Sequence, residues 1–84
     1  MTYELVDGNA LAGTFTELLS RDATMIQAEC GACGATAPLA TTTVERDEFA
    51  VIVRCRGCTH TLLTILNEPA GSRLVIGAVR SLVL

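Results

Sequence analysis

Apolar and polar positions change their period along this chain, and each change marks an expected element. Within residues 7–20, Leu11, Phe15, Leu18 and Leu19 recur at spacings of four, three and one. That is one apolar stripe of a short helix, which Asp7 or Asn9 can cap. Gly13 falls inside the stripe and lowers intrinsic helicity, while allowing close packing. Further on the period shortens. Residues 24–29 predict a strand with Met25 and Ile26 as its bulk, and residues 35–38 a turn. Residues 39–45 form a threonine-rich strand in this reading, with Thr41, Thr42 and Thr43 as strand formers rather than nucleophiles. Arg46-Asp47-Glu48 makes a turn, and residues 49–54 return as a partner strand. A further strand covers 61–66. Glu68-Pro69-Ala70-Gly71-Ser72 is a strong turn signal, and residues 73–79 make the last strand. The core expected from this pattern is Leu63, Ile65, Val75 and either Val51 or Val53.

Four cysteines punctuate that pattern as two pairs, Cys30-Gly31-Ala32-Cys33 and Cys55-Arg56-Gly57-Cys58, with 21 residues between them. C-x2-C-x21-C-x2-C is the ligand layout of a tetrahedral thiolate metal site. A two-residue spacer lets a tight turn aim both sulfurs at one ion, and the neighbouring glycines give such a knuckle its backbone freedom. The expected fold is therefore a small α+β domain: an N-terminal short helix on an antiparallel zinc-ribbon β-sheet. Residues 1–84 would make one domain, with 1–23 as the helical segment and 24–84 as the ribbon.

Composition changes this picture in two ways. Eighty-four residues bury a modest fraction of their surface, so a structural metal is a physically sensible stabiliser. Half of the residues are apolar, more than a domain this small can hide, which points to a protein partner or a homodimer through apolar surface. Charge is split as well. Residues 1–48 set Arg21 and Arg46 against eight acids, net −6; residues 49–84 set Arg54, Arg56, Arg73 and Arg80 against Glu68, net +3. The net charge of −3 and the lack of any lysine disfavour nucleic-acid binding, which would have to run through those last four arginines. No basic stretch precedes an apolar segment at the start, and no apolar run reaches membrane-spanning length, so the expected location is cytoplasmic, with reduced thiols and no membrane.

The stretch Val6-Asp7-Gly8-Asn9-Ala10-Leu11-Ala12-Gly13 adds a family resemblance. Together with the two CxxC knuckles it resembles a family of small uncharacterised bacterial zinc-ribbon-like proteins. Members share a Leu/Val-Asp-Gly-Asn-Ala-Leu-Ala-Gly opening, a short helix, a C-x-x-C-G pair, a hairpin and a C-x-x-C-G/A pair. The likeness covers nearly the whole chain. This sequence departs from it at the second knuckle, where Thr59 stands in place of a common glycine and Arg56 in place of a common proline. The resemblance implies a redox partner, since members often lie near genes for a molybdopterin-type oxidoreductase and a flavin reductase. An accessory role in an oxidoreductase system is the corresponding expectation.

Several chemistries compete for the conspicuous residues. Cys30, Cys33, Cys55 and Cys58 suit zinc with no open coordination position, hence a structural site. The same set would hold a single iron, giving a rubredoxin-like electron-transfer protein. Only Tyr3, Phe15 and Phe49 are aromatic, however, and rubredoxins usually surround their iron with aromatic residues. Thiol–disulfide chemistry wants a C-x-x-C at a helix start, whereas these pairs close hairpins. His60 reads as an exposed loop residue, because four thiolates fill the shell. Asp7, Asn9 and Asp22 read as caps and solvated groups, with a docking role for Asp7-Gly8-Asn9 as the sharper option. Arg54 and Arg56, flanking Cys55, either bind an acidic partner, offset the charge of the cluster, or are simply solvated. The expected function is a non-enzymatic, metal-stabilised module for protein–protein interaction. No catalytic residues are expected, since no acid–base or nucleophile set is visible.

Overall fold

The computed structural model describes residues 4–8 and 12–84. The chain runs β1 (Glu4–Asp7), α1 (Ala12–Leu19), β2 (Gln27–Cys30), β3 (Thr36–Pro38), a 3-10 turn (Leu39–Thr41), β4 (Thr43–Arg46), β5 (Ala50–Arg54), β6 (Thr61–Glu68), β7 (Gly71–Ile76) and β8 (Val79–Val83). The strands form two antiparallel sheets. One has five strands in the order β1-β4-β5-β6-β7, and the other has three in the order β3-β2-β8.

This corrects the expectation of an N-terminal helix laid on a zinc-ribbon sheet. The apolar side of the five-stranded sheet is covered by the second sheet and its flanking turns. Val44, Val51, Val53, Leu63 and Ile65 pack against Ala23, Ile26, Ala28 and Leu39, with Val79 and Leu82 of β8 at the margin. Helix α1 starts later than expected, because Asp7 belongs to β1; Asn9 and Leu11 lie outside the described residues. Among the described side chains of the helix, only Leu19 reaches the core. The physical reason is chain economy. The register break at Glu29/Cys30 lets both Val79 and Leu82 turn inward, so 79–83 builds a strand on β2, and that strand completes a layer of its own.

Residue pairing explains the burial. In β5 the alternation is strict, with Val51 and Val53 inward and Ile52 half-exposed between them. Val51 lies opposite Ile65, and Val53 opposite Leu63. Leu63 and Ile65 are core residues as expected, and both Val51 and Val53 are buried where one of the two was expected. Val75 is not in the core: it pairs with Thr64 on the outer face and is 44% exposed. Its neighbours Leu74 and Ile76 carry the inward side of β7, opposite Ile65 and Leu63.

The threonine-rich stretch is a second local correction. Leu39–Thr41 is a 3-10 turn, and the strand begins only at Thr43. Pro38 introduces the turn, and two hydroxyls hold it: Thr41 Oγ1 donates to the Pro38 carbonyl at 2.8 Å and Thr42 Oγ1 to the Leu39 carbonyl at 2.7 Å. Residues 46–49 do form the expected hairpin turn between β4 and β5. The Asp47 carboxylate accepts from the amides of Phe49 and Ala50, which fixes it.

Candidate metal centre

Each cysteine pair sits at the tip of its own hairpin. The first occupies the β2–β3 connection in the three-stranded sheet, and the second the β5–β6 connection in the five-stranded sheet. The hairpin expected over residues 39–54 would bring both pairs together at its base. Instead, two separate tips meet.

The two knuckles are built alike. In the first, the Cys30 amide donates to the Ala35 carbonyl and the Gly34 amide to the Cys30 carbonyl, both at 2.8 Å. In the second, the Cys55 amide donates to the His60 carbonyl and the Thr59 amide to the Cys55 carbonyl, both at 2.9 Å. Each closes on a residue in the left-handed region, Gly34 at φ 80° and Thr59 at φ 66°.

The tips bring four sulfurs into one cluster, all within 4.8 Å of one another. Cys30 Sγ and Cys58 Sγ are 3.6 Å apart, and Cys33 Sγ and Cys55 Sγ 3.7 Å. Both close contacts join one knuckle to the other. All four thiols are free, and these separations are far beyond the ~2 Å of a sulfur–sulfur bond. A zinc–sulfur bond of about 2.3 Å in a tetrahedron implies sulfurs about 3.8 Å apart. The cluster therefore fits a single ion with modest adjustment. Cys30 and Cys55 are buried, Cys58 is half-buried and Cys33 is exposed, so the cluster has an inner and an outer side.

Backbone amides tune the sulfurs. The N–H of Cys33, helped by that of Ala32, points at the Cys30 sulfur and lowers its pKa to about 6 against the opposing effect of burial. The Cys55 thiol is lowered in the same way by the N–H of Cys58 and then of Gly57. For Cys58, the His60 N–H pulls downward. Burial and the three neighbouring sulfurs overcome it and push that thiol up to about 12. Four thiolates packed without a cation repel one another, and the last proton is held accordingly. A bound cation removes that penalty, which is why such a cluster takes up metal with release of protons.

A backbone strap holds the tips together. The amide of Gly31 donates to the Ala78 carbonyl at 2.8 Å, that of Ala78 to the Thr61 carbonyl at 2.8 Å, and that of Gly77 to the Leu62 carbonyl at 2.9 Å. The corner between β7 and β8 thus touches both knuckles. Sequence reading missed it, and the only signal was Gly77-Ala78 between two apolar runs.

The other singled-out residues find local roles. Arg54 Nε donates to Glu45 Oε1 at 2.8 Å, and its Nη1 reaches the Thr59 carbonyl and Thr61 Oγ1 at 3.3 Å. Arg56 Nε donates to the Thr41 carbonyl at 2.6 Å. Arg73 pairs with Glu68, so three of the four arginines considered for phosphate contact are engaged within the chain. His60 is exposed; its side chain is not among the clustered ligands of the described residues, while its backbone serves the second knuckle. Asp22 closes a turn by accepting from the amide and hydroxyl of Thr24, and the amide bond, followed by the hydroxyl, lowers its pKa. Gly8 is buried, its amide bonded to the Thr42 carbonyl at 2.9 Å. No helix of the described residues is long and apolar enough to cross a membrane.

Two layered antiparallel sheets joined through a four-cysteine cluster define a small β-protein with a candidate metal site. The chain belongs to the DUF6510 family, a family of unknown function whose model matches residues 1–84. No curated protein and no solved structure matches it.

Proposed function

We propose that the protein is a non-enzymatic binding module whose two sheets are pinned together by one zinc ion on Cys30, Cys33, Cys55 and Cys58. The observation that carries this reading is the origin of the ligands: one pair comes from each sheet, and the shortest sulfur contacts cross between them. An ion there cross-links layers that otherwise meet, among the described residues, through a core of nine buried apolar residues. Thiolate-bound zinc can contribute on the order of 10 kcal/mol to folding at neutral pH, comparable to the whole stability of a small domain. Four protein ligands leave no open coordination position, so the metal's role is structural. The surface left for partners is apolar, with Leu74, Val75 and Ile76 exposed side by side on β7. Service to an oxidoreductase system is the expectation carried by the family resemblance, and a protein partner of that kind fits a module without chemistry of its own.

Metal analysis of the purified protein tests the reading. The expected result is a colourless protein with one zinc per chain that loses most of its stability when a strong chelator removes it. A red protein with one iron, bleaching on reduction, would replace this reading by electron transfer. A protein equally stable with and without metal would remove the pin.

A further inference from the structure

Sheet edges offer unpaired backbone donors and acceptors, and natural proteins usually protect them with charges, proline, bulges or short length. The described strands leave four edges. Strand β3 is three residues long and ends in Pro38. Strand β1 is four residues long and is bracketed by Glu4 and Asp7. Strand β8 carries Arg80 and joins β2 through an irregular register at Glu29/Cys30.

Strand β7 has none of these protections. It is six residues long, fully exposed, and pairs with β6 without a register break. Its one charge, Arg73, is neutralised by Glu68 at 2.6 Å. Leu74, Val75 and Ile76 are 41%, 44% and 60% exposed. Leu74 and Ile76 stand on the inward side of the sheet, opposite the buried Ile65 and Leu63, yet the three-stranded sheet does not reach over them.

We infer that β7 is a self-association edge on which the β7 of a second copy pairs antiparallel. This deepens the binding-module reading, on which it rests, by naming the partner. A second copy suits the edge on two grounds. The first is charge. An antiparallel pair centred on Leu74 sets Arg73 opposite Val75 of the other copy, so no like charges meet, and the Glu68 partner already cancels each guanidinium. The second is area. A six-residue ladder plus the Leu74, Val75 and Ile76 side chains of both copies buries on the order of 1,000 Å² in total, the range of weak, reversible complexes. The contact is isologous and closes on itself, giving a dimer with one continuous ten-stranded sheet and not a fibre.

The test is the molar mass of the metal-loaded full chain by sedimentation equilibrium, over roughly 1–200 μM. The expected result is a monomer–dimer equilibrium with a dissociation constant on the order of 10 μM. Leu74→Lys and Ile76→Lys should each weaken dimerisation at least about tenfold, while Leu5→Lys on the exposed face of the opposite edge should leave it unchanged. Amide exchange in the wild-type protein supplies a readout that needs no variant: protection in 71–76 should rise with protein concentration. A wild-type mass that stays at one chain throughout overturns the inference, as does dimerisation that L5K abolishes and L74K spares. Metal content, measured on the same samples, reports separately on the module reading.

Discussion

The two cysteine knuckles share one hydrogen-bond plan but are held in place by different means. The first is made of small residues. Gly31, Ala32 and Gly34 leave its tip bare, and it relies on backbone contact, with Gly31 donating to Ala78 across the gap between sheets. The second carries bulk. Thr59 occupies the left-handed position that Gly34 fills in the first, and Arg54 and Arg56 brace it from either side of Cys55. A β-branched residue at positive φ is strained, and the cost is offset by its surroundings. The Thr59 hydroxyl bonds the Cys58 carbonyl at 2.6 Å, and its own carbonyl accepts from Arg54. One knuckle is positioned by contact, and the other by side-chain struts.

The strongest way to break this comparison is at the sulfurs, where the knuckles should be equal. Cys30→Ser and Cys55→Ser each remove a buried ligand, so both should lose metal and cooperative folding, as seen by metal stoichiometry and thermal melts. Next come the glycines, where the knuckles should differ. A Cβ on Gly31 would lie 2.7 Å from the Ala78 carbonyl oxygen, whereas one on Gly57 meets nothing closer than the Cys55 sulfur at 3.8 Å. Gly31→Ala should destabilise by about 2 kcal/mol, and Gly57→Ala by less than about 0.5 kcal/mol, in chemical denaturation of the metal-loaded protein. The closing residues give a smaller effect of opposite sign. Thr59→Gly should stabilise by up to about 1 kcal/mol, and Gly34→Thr should cost a similar amount. Arg56→Met should have the smallest effect, about 0.5 kcal/mol, because it removes one exposed strut to the Thr41 carbonyl.

Acidity sharpens the same contrast in the metal-free protein. Cys30 has a folded pKa of about 6, below its ordinary thiol value, so its contribution is present above about 9 and is lost as pH falls through 6. Cys58 is raised to about 12, so its contribution is present below about 9 and is lost as pH rises through 12. Stability of the metal-free chain should therefore fall on either side of pH 9, and a profile rising steadily from pH 6 to 12 would contradict that assignment.

Much of the five-stranded sheet was legible in the sequence. The short apolar runs within 50–54 and 61–66, the charged residues at 46–48 and the Pro69-Ala70 turn each fix their own local structure, and they placed three of its strands. The cysteine spacing anticipated the cluster, because a C-x-x-C pair sets its geometry within four residues. The second sheet was not legible. Its strands are short, and its pairing joins residues 27–30 with 79–83, a partnership no local pattern encodes. The stretch 79–83 forms a strand, with Leu82 turned to the core and Val83 outward. The threonines at 41 and 42 misled for a related reason: their strand propensity lost to the turn that Pro38 and their own hydroxyls impose, while Thr43 does open β4. Thr59 was noted only as a departure from the usual glycine, and the arginine that braces it could not be seen without three dimensions.

The bond from Gly31 to Ala78 has a consequence for the order of events during synthesis. The two residues are 47 positions apart, and at roughly 5–20 residues per second a ribosome needs seconds to cover that distance. For the first half of that interval the nascent chain presents Cys30 and Cys33 without their partner sulfurs, and throughout it without the corner that clamps them. Maturation of the cluster is thus a late step, and the leading thiols depend until then on the reducing power of their surroundings.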